Sequence, residues 1–375
     1  MQFDKIRILQ VGKFYPILGG VEKVMYDLMC GLSHLNISCD MLCAAVDGKG
    51  FIKQINEHAR LFCTHSLCKK AATMISPAMI ATLRKRCNEY DIIHVHHPDP
   101  MAALALFLSG YKGKVVLHWH SDIVKQRWLL KAYLPLQNWL IRRADCIVGT
   151  SPVYLEGSPF LKKVQDKTVC LPIGIEEMPR NPSRVEEIRR DMKGKKLIFS
   201  LGRMVPYKGF SYLVEAAQYL GNEYVIVIGG NGPLKKNLQQ RIKELSLQNK
   251  IFLPGRISDD DLLAYYEACQ LFCLPSVMKT EAFGIVQIEA MSFGKPVVTT
   301  RIPDSGVSWV NAHGVSGLNV PPCDARALAK AIMDICDNAE DYKRYSEGAL
   351  KNFQERFTQR KMIESCLDIY AMLWK

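Results

Sequence analysis

Short apolar runs alternate with longer amphipathic stretches along nearly the whole chain. IRILQVG, YDIIHVHHP and KVVLHWHSD are rich in Ile and Val, as strands are, whereas GGVEKVMYDLMCGLSHLN repeats its apolar positions every three or four residues, as an amphipathic helix does. Strands that alternate with helices are typical of a mainly parallel sheet covered by helices. The pattern therefore predicts the α/β fold class.

The alternation pauses once, at PIGIEEMPRNPSRVEE, and resumes at KKLIFSLGRMVPYKG. The pause contains four residues that break regular elements: Pro172, Gly174, Pro179 and Pro182. A chain of 375 residues also fits two domains of about 150–200 residues each. We predict an N-terminal domain at 1–178, a C-terminal domain at 179–355 and a C-terminal helix at 356–375 that returns to the N-terminal domain.

Two cations follow the first predicted strand of the second domain. In SLGRMVPYKGF the strand ends at Gly202, and Arg203 and Lys208 come before the next helix. Ligands of α/β sheets bind beyond the carboxyl ends of the strands, in the cleft that two facing domains would leave. Two cations beside a helix N-terminus can hold a diphosphate without a metal. A pair of solvated loop cations is the alternative.

Two carboxylates flank a predicted helix start in EAFGIVQIEAM. A helix that begins near Gly284 leaves Glu281 in the loop at its mouth and places Glu289 one or two turns inside. The free N–H groups of Gly284 and Ile285 can then bind an anion or sugar hydroxyls. A carboxylate can accept two hydrogen bonds from a sugar or ribose diol. For either glutamate alone, a helix-capping acid or a surface acid is the alternative.

Histidines end two predicted strands of the first domain. VVLHWHSD carries His118, His120 and Asp122, and their grouping at a strand end favours a functional role. In IIHVHHPDP, strand alternation puts His94 and His96 on one face, but no carboxylate completes a clear metal-binding triad. We therefore predict a polar wall of a binding site there, and no metal.

The chain is basic, and the charge is unevenly shared. Its formal net charge is +12, with 23 Lys and Arg against 15 Asp and Glu in residues 1–182 and 26 against 22 in the remainder. A basic first half favours an anionic partner such as membrane lipid, phosphate or nucleic acid. The segment around Trp128 and Trp139 mixes aromatic, Leu and basic residues, as helices on a membrane surface do. A core helix with a basic solvated edge fits equally well.

The chain shows no sign of export or membrane insertion. No run reaches the ~18 consecutive apolar residues of a membrane span, and MQFDKIRILQVGKFYP does not have the pattern of a signal peptide. The 13 cysteines are scattered without a CxxC pair, which is typical of reduced thiols and not of a zinc site. We therefore expect a cytoplasmic protein.

Beside these patterns, the order of the motifs resembles that of a known family. GRMVPYKG, GNGP, FLPGRIS, LFCLPS, EAFGIVQIEAMSFGKPVV and GVSGLNVPP follow one another as in the retaining glycosyltransferases of family 4, and Glu281 and Glu289 match the E-x7-E motif of that family. The resemblance covers essentially the whole chain. It implies the GT-B fold, in which two Rossmann-like domains with parallel sheets face a central cleft. The first domain would bind the acceptor and the second the nucleotide sugar.

The resemblance also implies roles for the matching residues. Glu281 would face the donor sugar, Glu289 would bind the ribose, and His120 would lie near the reacting centre. The catalytic residues would be His120, Glu281, Arg203 and Lys208. The donor would be bound by Gly19, Gly20, Arg203, Lys208, Gly255, Arg256, Ile257, Glu281, Phe283, Gly284, Ile285 and Glu289. The acceptor side would include His97, His118 and Asp122.

A narrower resemblance concerns HWHSDIVKQRWLLKAYLPLQ and RRADCIVGTSPVYLEGSPFL, which are similar to a bacterial subgroup of mannosyl- and rhamnosyltransferase-like enzymes of O-antigen and polysaccharide assembly. This implies metal-independent transfer of a hexose, with mannose from GDP-mannose favoured, to a lipid-linked saccharide. No cofactor is expected. The basic N-terminal domain would contact the inner face of the cytoplasmic membrane.

Other functions remain open at this point. A UDP-hexose or dTDP-rhamnose could be the donor, and a sugar-phosphate synthase of the same fold would use a soluble acceptor. A nucleotide-sugar epimerase of this fold is disfavoured by the intact E-x7-E motif. A non-enzymatic protein that binds an anionic polymer is a remote alternative. We expect no nucleic-acid partner, because no aromatic and basic motif of a known nucleic-acid-binding type accompanies the charge.

Overall fold

The structure, a computed structural model, describes these residues, with the backbone alone over 127–129: 6–17, 19–70, 73–123 and 127–374. The chain divides into two compact units. Unit 1 comprises Met1–Ile173 and Gln359–Lys375, and unit 2 comprises Gly174–Thr358. The units thus divide after 173 and 358, where the sequence predicted boundaries after 178 and 355.

The described residues form strands and helices with the following bounds. The strands are β1 (Arg7–Tyr15), β2 (Ser38–Ala45), β3 (Phe51–Asn56), β4 (Ala59–Thr64), β5 (Cys68–Lys70), β6 (Thr73–Ile75), β7 (Ile92–His97), β8 (Lys114–Trp119), β9 (Cys146–Gly149), β10 (Thr168–Cys170), β11 (Lys196–Leu201), β12 (Tyr224–Gly229), β13 (Ile251–Gly255), β14 (Leu271–Leu274), β15 (Val297–Thr300) and β16 (Gly317–Val320). The helices are α1 (Gly20–His34), α2 (Pro77–Arg86), α3 (Pro100–Ser109), α4 (Arg127–Arg143), α5 (Pro152–Gly157), α6 (Pro182–Asp191), α7 (Phe210–Ala216), α8 (Lys235–Glu244), α9 (Asp259–Ala268), α10 (Ile285–Ser292), α11 (Val307–Val310), α12 (Ala325–Cys336), α13 (Ala339–Arg356) and α14 (Gln359–Leu373).

Unit 1 is built on an eight-stranded sheet in the order β10-β9-β8-β7-β1-β2-β4-β3. Its neighbouring strands are parallel except for β3 and β4, which form an antiparallel edge that the sequence analysis did not predict. The chain extends the sheet from β1 first through β2 to β4, and later from β7 to β10. The strand order therefore reverses between β1 and β7, and such a switch point is where α/β sheets bind ligands.

Unit 2 has a six-stranded sheet in the order β13-β12-β11-β14-β15-β16, and all its neighbouring strands are parallel. Here the strand order reverses between β11 and β14. The predicted α/β class with mainly parallel sheets is confirmed in both units. Arg203 and Lys208 follow β11, and Glu281 follows β14, so the predicted charged residues belong to loops beside the switch point.

Four helices begin with the same local signal. A Ser, Asp or Asn side chain accepts a hydrogen bond from the backbone of the first turn, and Pro occupies the first helical position, where its missing N–H costs nothing. The four pairs are Ser76–Pro77, Asp99–Pro100, Ser151–Pro152 and Asn181–Pro182. Pro182 thus starts α6, although the sequence analysis placed it in the break between domains.

The last helix belongs to unit 1, where α14 packs against α1. Gly31 of α1 makes room for this contact, since a Cβ atom there would lie 2.5 Å from Cδ1 of Ile363. The contact brings Tyr370 of α14 to the buried polar residues of β1 and β7. Among the described residues, no helix has the length and apolar character of a membrane span.

Candidate functional site

In unit 2, the loops after β11 and β14 contact each other beside the switch point. The Val277 N–H donates a hydrogen bond to the Tyr207 carbonyl oxygen at 2.8 Å. Gly209 has a φ of +65°, and a Cβ atom there would lie 2.0 Å from the Pro275 carbonyl oxygen. Only glycine accepts both that φ and that approach. The contact therefore fixes the loop that carries Lys208 against the loop that leads to Glu281.

Lys208 and Glu281 form a largely buried ion pair at this contact. Lys208 Nζ lies 2.6 Å from Glu281 Oε2, and the two side chains are 10% and 12% exposed. Ser276 Oγ donates to the same carboxylate oxygen at 2.9 Å. The lysine stem lies over Gly202, whose missing side chain leaves it room. The sequence predicted both residues as separate ligands of a donor, and the structure shows that they also bind each other.

Helix α10 begins where the sequence predicted. Gly284 adopts a left-handed conformation before Ile285, the first helical residue, and no side chain caps the helix. The N–H groups of the first turn of a helix carry partial positive charge and favour an anion. The buried side chain of Phe283 contacts Phe357 edge to face, with 5.9 Å between ring centroids. The backbone of this turn, rather than the Phe283 ring, is therefore the part suited to bind a ligand.

Glu289 lies in the second turn of α10 and has a partner that the sequence analysis missed. The hydroxyl of Tyr266 donates to Glu289 Oε2 at 2.5 Å. Burial, followed by the nearby Glu289 charge, raises the pKa of Tyr266 well above its usual value, so the phenol keeps its proton. Tyr266 thereby orients one carboxylate oxygen of Glu289. No pattern in the sequence marks Tyr266, which faces Glu289 only because α9 and α10 are neighbours.

The predicted segment Gly255, Arg256 and Ile257 lies at the end of β13. Gly230 N–H donates to the Gly255 carbonyl oxygen at 2.7 Å, and a Cβ atom at Gly255 would lie 2.9 Å from Lys235 Nζ. Arg256 is exposed, as is Arg203 after β11. Lys235, which donates to Asn231 Oδ1 at 3.2 Å, is a cation that the sequence analysis did not identify. The GNGP motif, which precedes Lys235 in the sequence, could have indicated this cation.

In unit 1, four histidine rings lie together on one face of the sheet. We call His94 and His96 of β7 and His118 and His120, within and just after β8, the histidine stack. Successive ring centroids are 4.7 Å apart for His94 and His96, 5.1 Å for His96 and His118, and 3.9 Å for His118 and His120. Strand alternation predicted the shared face of His94 and His96, and the register pairs His96 with His118.

Gln10 of β1 and Tyr370 of α14 complete a hydrogen-bonded network with the stack. Tyr370 Oη lies 2.6 Å from His94 Nδ1 and 3.1 Å from Gln10 Nε2. Gln10 Oε1 lies 2.8 Å from His96 Nε2, and His96 Nδ1 lies 2.9 Å from His120 Nε2. The sequence analysis identified neither Gln10 nor Tyr370. Tyr370 lies 276 residues after His94, and only the fold brings them together.

The histidine stack is electrically neutral. Burial lowers the pKa of all four rings, and for His118 the pKa falls to about 3. Neighbouring rings and Lys13 lower the pKa of His96 and His120 further. A ring whose pKa is that low carries no proton charge at neutral pH, so each ring offers one N–H and one lone pair.

Three rings of the stack, His94, His96 and His118, bring ligand nitrogens within 4.8 Å of one another. Neutral imidazole is a suitable ligand for transition metals. A metal ion, however, lies in the plane of every imidazole that binds it, and these rings are inclined to one another by only 14° to 30°. Their lone pairs therefore do not converge. His96 also uses both nitrogens in hydrogen bonds, so metal binding would require the rings to rotate.

The three residues predicted for the acceptor side do not meet at one surface. His97 and His118 are fully buried on opposite faces of the sheet. His97 stacks on Trp119, with 3.8 Å between ring centroids. Asp122 Oδ1 accepts hydrogen bonds from Trp119 Nε1 at 2.9 Å and Ser158 Oγ at 2.7 Å. Of the three predicted histidines of the first domain, His97, His118 and His120, His120 is therefore the most exposed.

A further carboxylate, that of Glu22, lies in the first turn of α1, just after the loop that leads to Gly19 and Gly20. Gly19 is the extended residue before α1, which begins at Gly20, and a Cβ atom at Gly19 would lie 2.6 Å from Glu22 Oε2. Burial raises the pKa of Glu22, although Lys13 acts in the opposite direction. No role was predicted for Glu22 from the sequence. An acidic residue in the first helical turn, shortly after two glycines, could have indicated it. Leu18 of this loop lies outside the described residues.

Two family profiles match the chain, one within each unit. The sequence profile of Glycosyltransferase Family 4 matches residues 18–157, and that of the Glycosyl transferases group 1 matches residues 184–352. The chain is 33% identical over 372 residues to the O-antigen chain mannosyltransferase C of Escherichia coli, and the match covers 98% of this chain and 99% of that protein. The chain belongs to glycosyltransferase family 4. The predicted enzyme class, a hexosyltransferase, is confirmed.

Two further proteins are similar to this glycosyltransferase. The D-rhamnosyltransferase WbpZ of Pseudomonas aeruginosa is 30% identical, and the match covers 94% of this chain and 92% of that protein. The solved structure of sucrose-phosphate synthase from Thermosynechococcus elongatus superposes with a TM-score of 0.80 at 18% identity and covers 98% of this chain and 99% of that chain. This likeness confirms the predicted GT-B fold class.

We predict that the histidine stack makes the enzyme lose stability in mild acid. The unfolded chain binds protons at histidine below about pH 6.5, whereas the buried native rings do not. Above about pH 6.5 these rings therefore do not reduce the free energy of unfolding. Below that pH, each ring lowers it by about 1.4 kcal/mol per pH unit as the pH falls towards the native pKa of the ring, which is about 3 for His118. Urea unfolding at pH 7.0 and 5.0 measures the difference.

His118→Phe is the informative variant for this prediction. Both ring nitrogens of His118 are buried without a hydrogen-bond partner among the described residues, so an apolar ring of similar shape removes two unsatisfied groups. The pH dependence of the variant should be shallower by about 1.4 kcal/mol per pH unit. Equal pH dependence in the variant and the wild type would contradict the assignment of a neutral buried ring.

Proposed function

We propose that this glycosyltransferase moves a hexose from a nucleotide sugar to a lipid-linked saccharide of O-antigen or polysaccharide assembly, with retention of the anomeric configuration and without a metal. Mannose from GDP-mannose is the favoured donor. The names of the two full-length relatives support this substrate class. The observation that carries the proposed chemistry is the Lys208–Glu281 pair beside the uncapped N-terminus of α10.

The charges of unit 2 suit a donor diphosphate. In the structure, Glu281 is the counterion of Lys208. A bound diphosphate would bring new negative charge to Lys208 and to the first turn of α10, with exposed Arg203 as a second cation. Lys208 would then be shared between the two anions. The other oxygen of Glu281 would accept a hydrogen bond from a hydroxyl of the donor sugar.

Glu289 is suited to the nucleoside part of the donor. Tyr266 occupies one of its carboxylate oxygens and holds the side chain in place. A carboxylate has two oxygens, each with more than one acceptor position, so the Glu289 carboxylate suits the two hydroxyls of a ribose. Gly255 and Ile257 would flank the base, and Lys235 adds positive charge near Gly255.

The reaction follows from these charges. The bond between the anomeric carbon and the donor phosphate oxygen breaks, and the departing nucleoside diphosphate is stabilised by Lys208, Arg203 and the dipole of α10. The acceptor hydroxyl oxygen forms a bond to the anomeric carbon on the same face. Its proton passes to a phosphate oxygen of the leaving group. The protein therefore needs no dedicated base, and a double displacement with Glu281 as nucleophile is less favoured because Lys208 and Ser276 already bind its carboxylate.

Rhamnose is the second candidate for the transferred sugar, because one full-length relative carries the name D-rhamnosyltransferase. D-Mannose and D-rhamnose differ only at carbon 6, where rhamnose lacks the hydroxyl group. A site that accepts either sugar would share the diphosphate and ribose contacts of unit 2. The choice of donor is therefore a question of the contacts to the sugar itself.

Unit 1 carries a surface suited to anionic lipid. Between residues 46 and 87 the basic residues are Lys49, Lys53, Arg60, Lys69, Lys70, Arg84, Lys85 and Arg86, against the two acidic residues Asp47 and Glu57. Phe51 and Ile52 of the edge strand β3 are 40% and 68% exposed. They line a cavity of 420 Å³ together with Lys85 and Arg86 of α2. Exposed apolar side chains beside a basic helix favour contact with a membrane surface.

Helix α4 contains the segment around Trp128 and Trp139, whose composition is also typical of a helix on a membrane surface. In α4, Trp139 is half-buried against Phe107, with ring centroids 4.9 Å apart, and Tyr133, Gln137 and Leu140 are buried. This part of α4 therefore covers the core with one face, as the alternative interpretation predicted. The side chain of Trp128 lies outside the described residues.

A donor panel tests the proposed function. The purified enzyme is incubated in EDTA with radiolabelled GDP-mannose, UDP-glucose, UDP-galactose, UDP-N-acetylglucosamine or dTDP-rhamnose, together with a lipid extract that contains saccharide-linked lipids. We expect label to enter lipid from GDP-mannose alone, at a rate that EDTA does not change. Transfer from another donor would contradict the choice of mannose, and activity restored only by a divalent cation would contradict metal independence.

Glu281→Ala tests the site. We expect kcat/KM to fall by about a hundredfold or more, because the sugar loses its acceptor and Lys208 its counterion. Glu347→Ala is the matched control, since that carboxylate lies on the exposed surface of α13 in unit 2. Urea unfolding shows whether both variants are folded. Near-normal turnover of a folded Glu281→Ala enzyme would exclude the proposed role.

Vesicle co-sedimentation tests the lipid surface. We expect binding to vesicles of phosphatidylglycerol and phosphatidylcholine, and little binding to phosphatidylcholine alone. The double variant Arg84→Glu, Lys85→Glu should bind about tenfold more weakly or worse, since each basic residue near an anionic surface contributes ~1 kcal/mol. Lys330→Glu, Lys343→Glu in unit 2 changes the net charge equally. An equal loss in both double variants would show that only total charge matters.

A further inference from the structure

The hydrogen bonds around the histidine stack form a chain that ends at His120. Gln10 binds His96, and His96 binds His120, with nitrogen–oxygen and nitrogen–nitrogen distances of 2.8 Å and 2.9 Å. A neutral imidazole has two tautomers, and each bond of the chain requires one donor and one acceptor. The direction of the chain therefore decides which nitrogen of His120 carries its proton.

Distances around Tyr370 set that direction. Hydrogen bonds donated by O–H groups are shorter than those donated by N–H groups. Tyr370 Oη lies 2.6 Å from His94 Nδ1 but 3.1 Å from Gln10 Nε2. The short contact fits a phenol that donates its proton to His94, and the longer one fits an amide N–H that donates to the phenol oxygen. Cys39 Sγ, 3.7 Å from Gln10 Nε2, is a second acceptor for the same amide.

The remaining protons follow from this orientation. The Gln10 amide directs its N–H groups to Tyr370 and Cys39, so its carbonyl oxygen Oε1 faces His96 and can only accept. His96 must then donate from Nε2, and as a neutral ring it has its lone pair on Nδ1. His120 must donate from Nε2 to that lone pair. The lone pair of His120 is therefore on Nδ1.

We propose that Gln10 and His96 are positioning residues that hold His120 with an unprotonated Nδ1, so that this histidine accepts a hydrogen bond from a substrate hydroxyl and disfavours a phosphate oxygen. His120 lies just after the end of β8 and is 5% exposed, in contrast to the three fully buried rings of the stack. Several buried nitrogens of the described residues have no hydrogen-bond partner, and His120 Nδ1 does not belong to that group. This inference rests on the proposed function and on the family resemblance, which implies that His120 lies near the reacting centre.

The chemistry of the two ring nitrogens gives the selectivity. A hydroxyl group can donate to the Nδ1 lone pair, whereas a phosphate oxygen also carries lone pairs and negative charge and would be repelled. With the opposite tautomer, Nδ1–H would attract the phosphate instead. The neutral rings of the stack add no positive charge beneath His120, and Lys13 is a cation close enough to act on it. Unit 1 therefore presents a histidine suited to a sugar hydroxyl, while the cations proposed for the diphosphate, Lys208 and Arg203, belong to unit 2.

Nitrogen NMR of the full-length enzyme tests the inference without any substrate. The protein is labelled with 15N-histidine, and correlations between ring carbon-bound protons and ring nitrogens show which nitrogen carries the proton. The signals of His120 are assigned by their loss in His120→Phe. We expect His120 and His96 to be protonated at Nε2 at pH 7.5. A spectrum with His120 protonated at Nδ1 would overturn the proposal, whatever the variants do.

Gln10→Met tests the positioning role. It removes the acceptor oxygen while keeping a similar side-chain volume, so the His120 signals should shift towards the other tautomer, and kcat/KM should fall about tenfold, the equivalent of one hydrogen bond. Cys43→Ala is the matched control, because Cys43 is also a buried cysteine of β2 and belongs to none of the hydrogen bonds described for the chain. Unchanged His120 signals in a folded Gln10→Met enzyme would refute the role of Gln10.

Deoxy analogues of the sugar substrates connect the tautomer to recognition. The analogue that lacks the hydroxyl bound by His120 should lose about tenfold in kcat/KM with the wild type and little with Gln10→Met. An equal loss in both enzymes would refute the recognition role. If the NMR result holds but no sugar nucleotide is a substrate, the proposed function fails and the proton assignment stands.

Discussion

Parallel pairing brings the carboxyl ends of neighbouring strands to the same edge of a sheet, and both candidate sites depend on this constraint. In unit 2 it places the loops after β11 and β14 side by side, so that Lys208 reaches Glu281. In unit 1 it aligns β7 with β8, so that histidines from two strands stack. The backbone hydrogen bonds of the strands therefore set the positions of side chains that are far apart in the sequence.

The two units use this edge with opposite electrostatics. The candidate site of unit 2 is charged, because Lys208 and Glu281 form an ion pair and the N-terminus of α10 lies beside them. Unit 1 excludes charge from its histidines, because burial and neighbouring rings keep them neutral. A charged site suits a diphosphate and its changes of charge during transfer. A neutral site suits hydroxyl groups, whose hydrogen bonds are directional.

Local signals made much of the fold predictable. Apolar periodicity identified the main strands and helices, and the left-handed Gly284 confirmed the helix start inferred from EAFGIVQIEAM. Strand alternation correctly placed His94 and His96 on one face. The edge strand β3 was missed because its residues are mostly exposed and lack the apolar pattern of a buried strand. Pro182 was interpreted as a break, although the Asn181 cap before it marks a helix start.

The partners of the site residues could not be predicted in the same way. Tyr266 binds Glu289 across two helices, Gln10 binds His96 across two strands, and Lys235 reaches Gly255 from the start of α8. Each contact depends on how elements pack, which no spacing in the sequence encodes. Glu22, in contrast, could have been predicted from the sequence, because it follows Gly19 and Gly20 closely and lies in the first turn of the predicted helix.

The place of α14 also has a consequence for how the chain is made. Gln10 and Tyr370, which share a hydrogen bond, are separated by 360 positions, whereas unit 2 is one continuous segment. During synthesis from the N-terminus, all of unit 2 is therefore translated before the last helix of unit 1. Until α14 arrives, the polar face formed by Gln10 and His94 has no cover from Tyr370. The N-terminal unit, although translated first, is the later one to be finished.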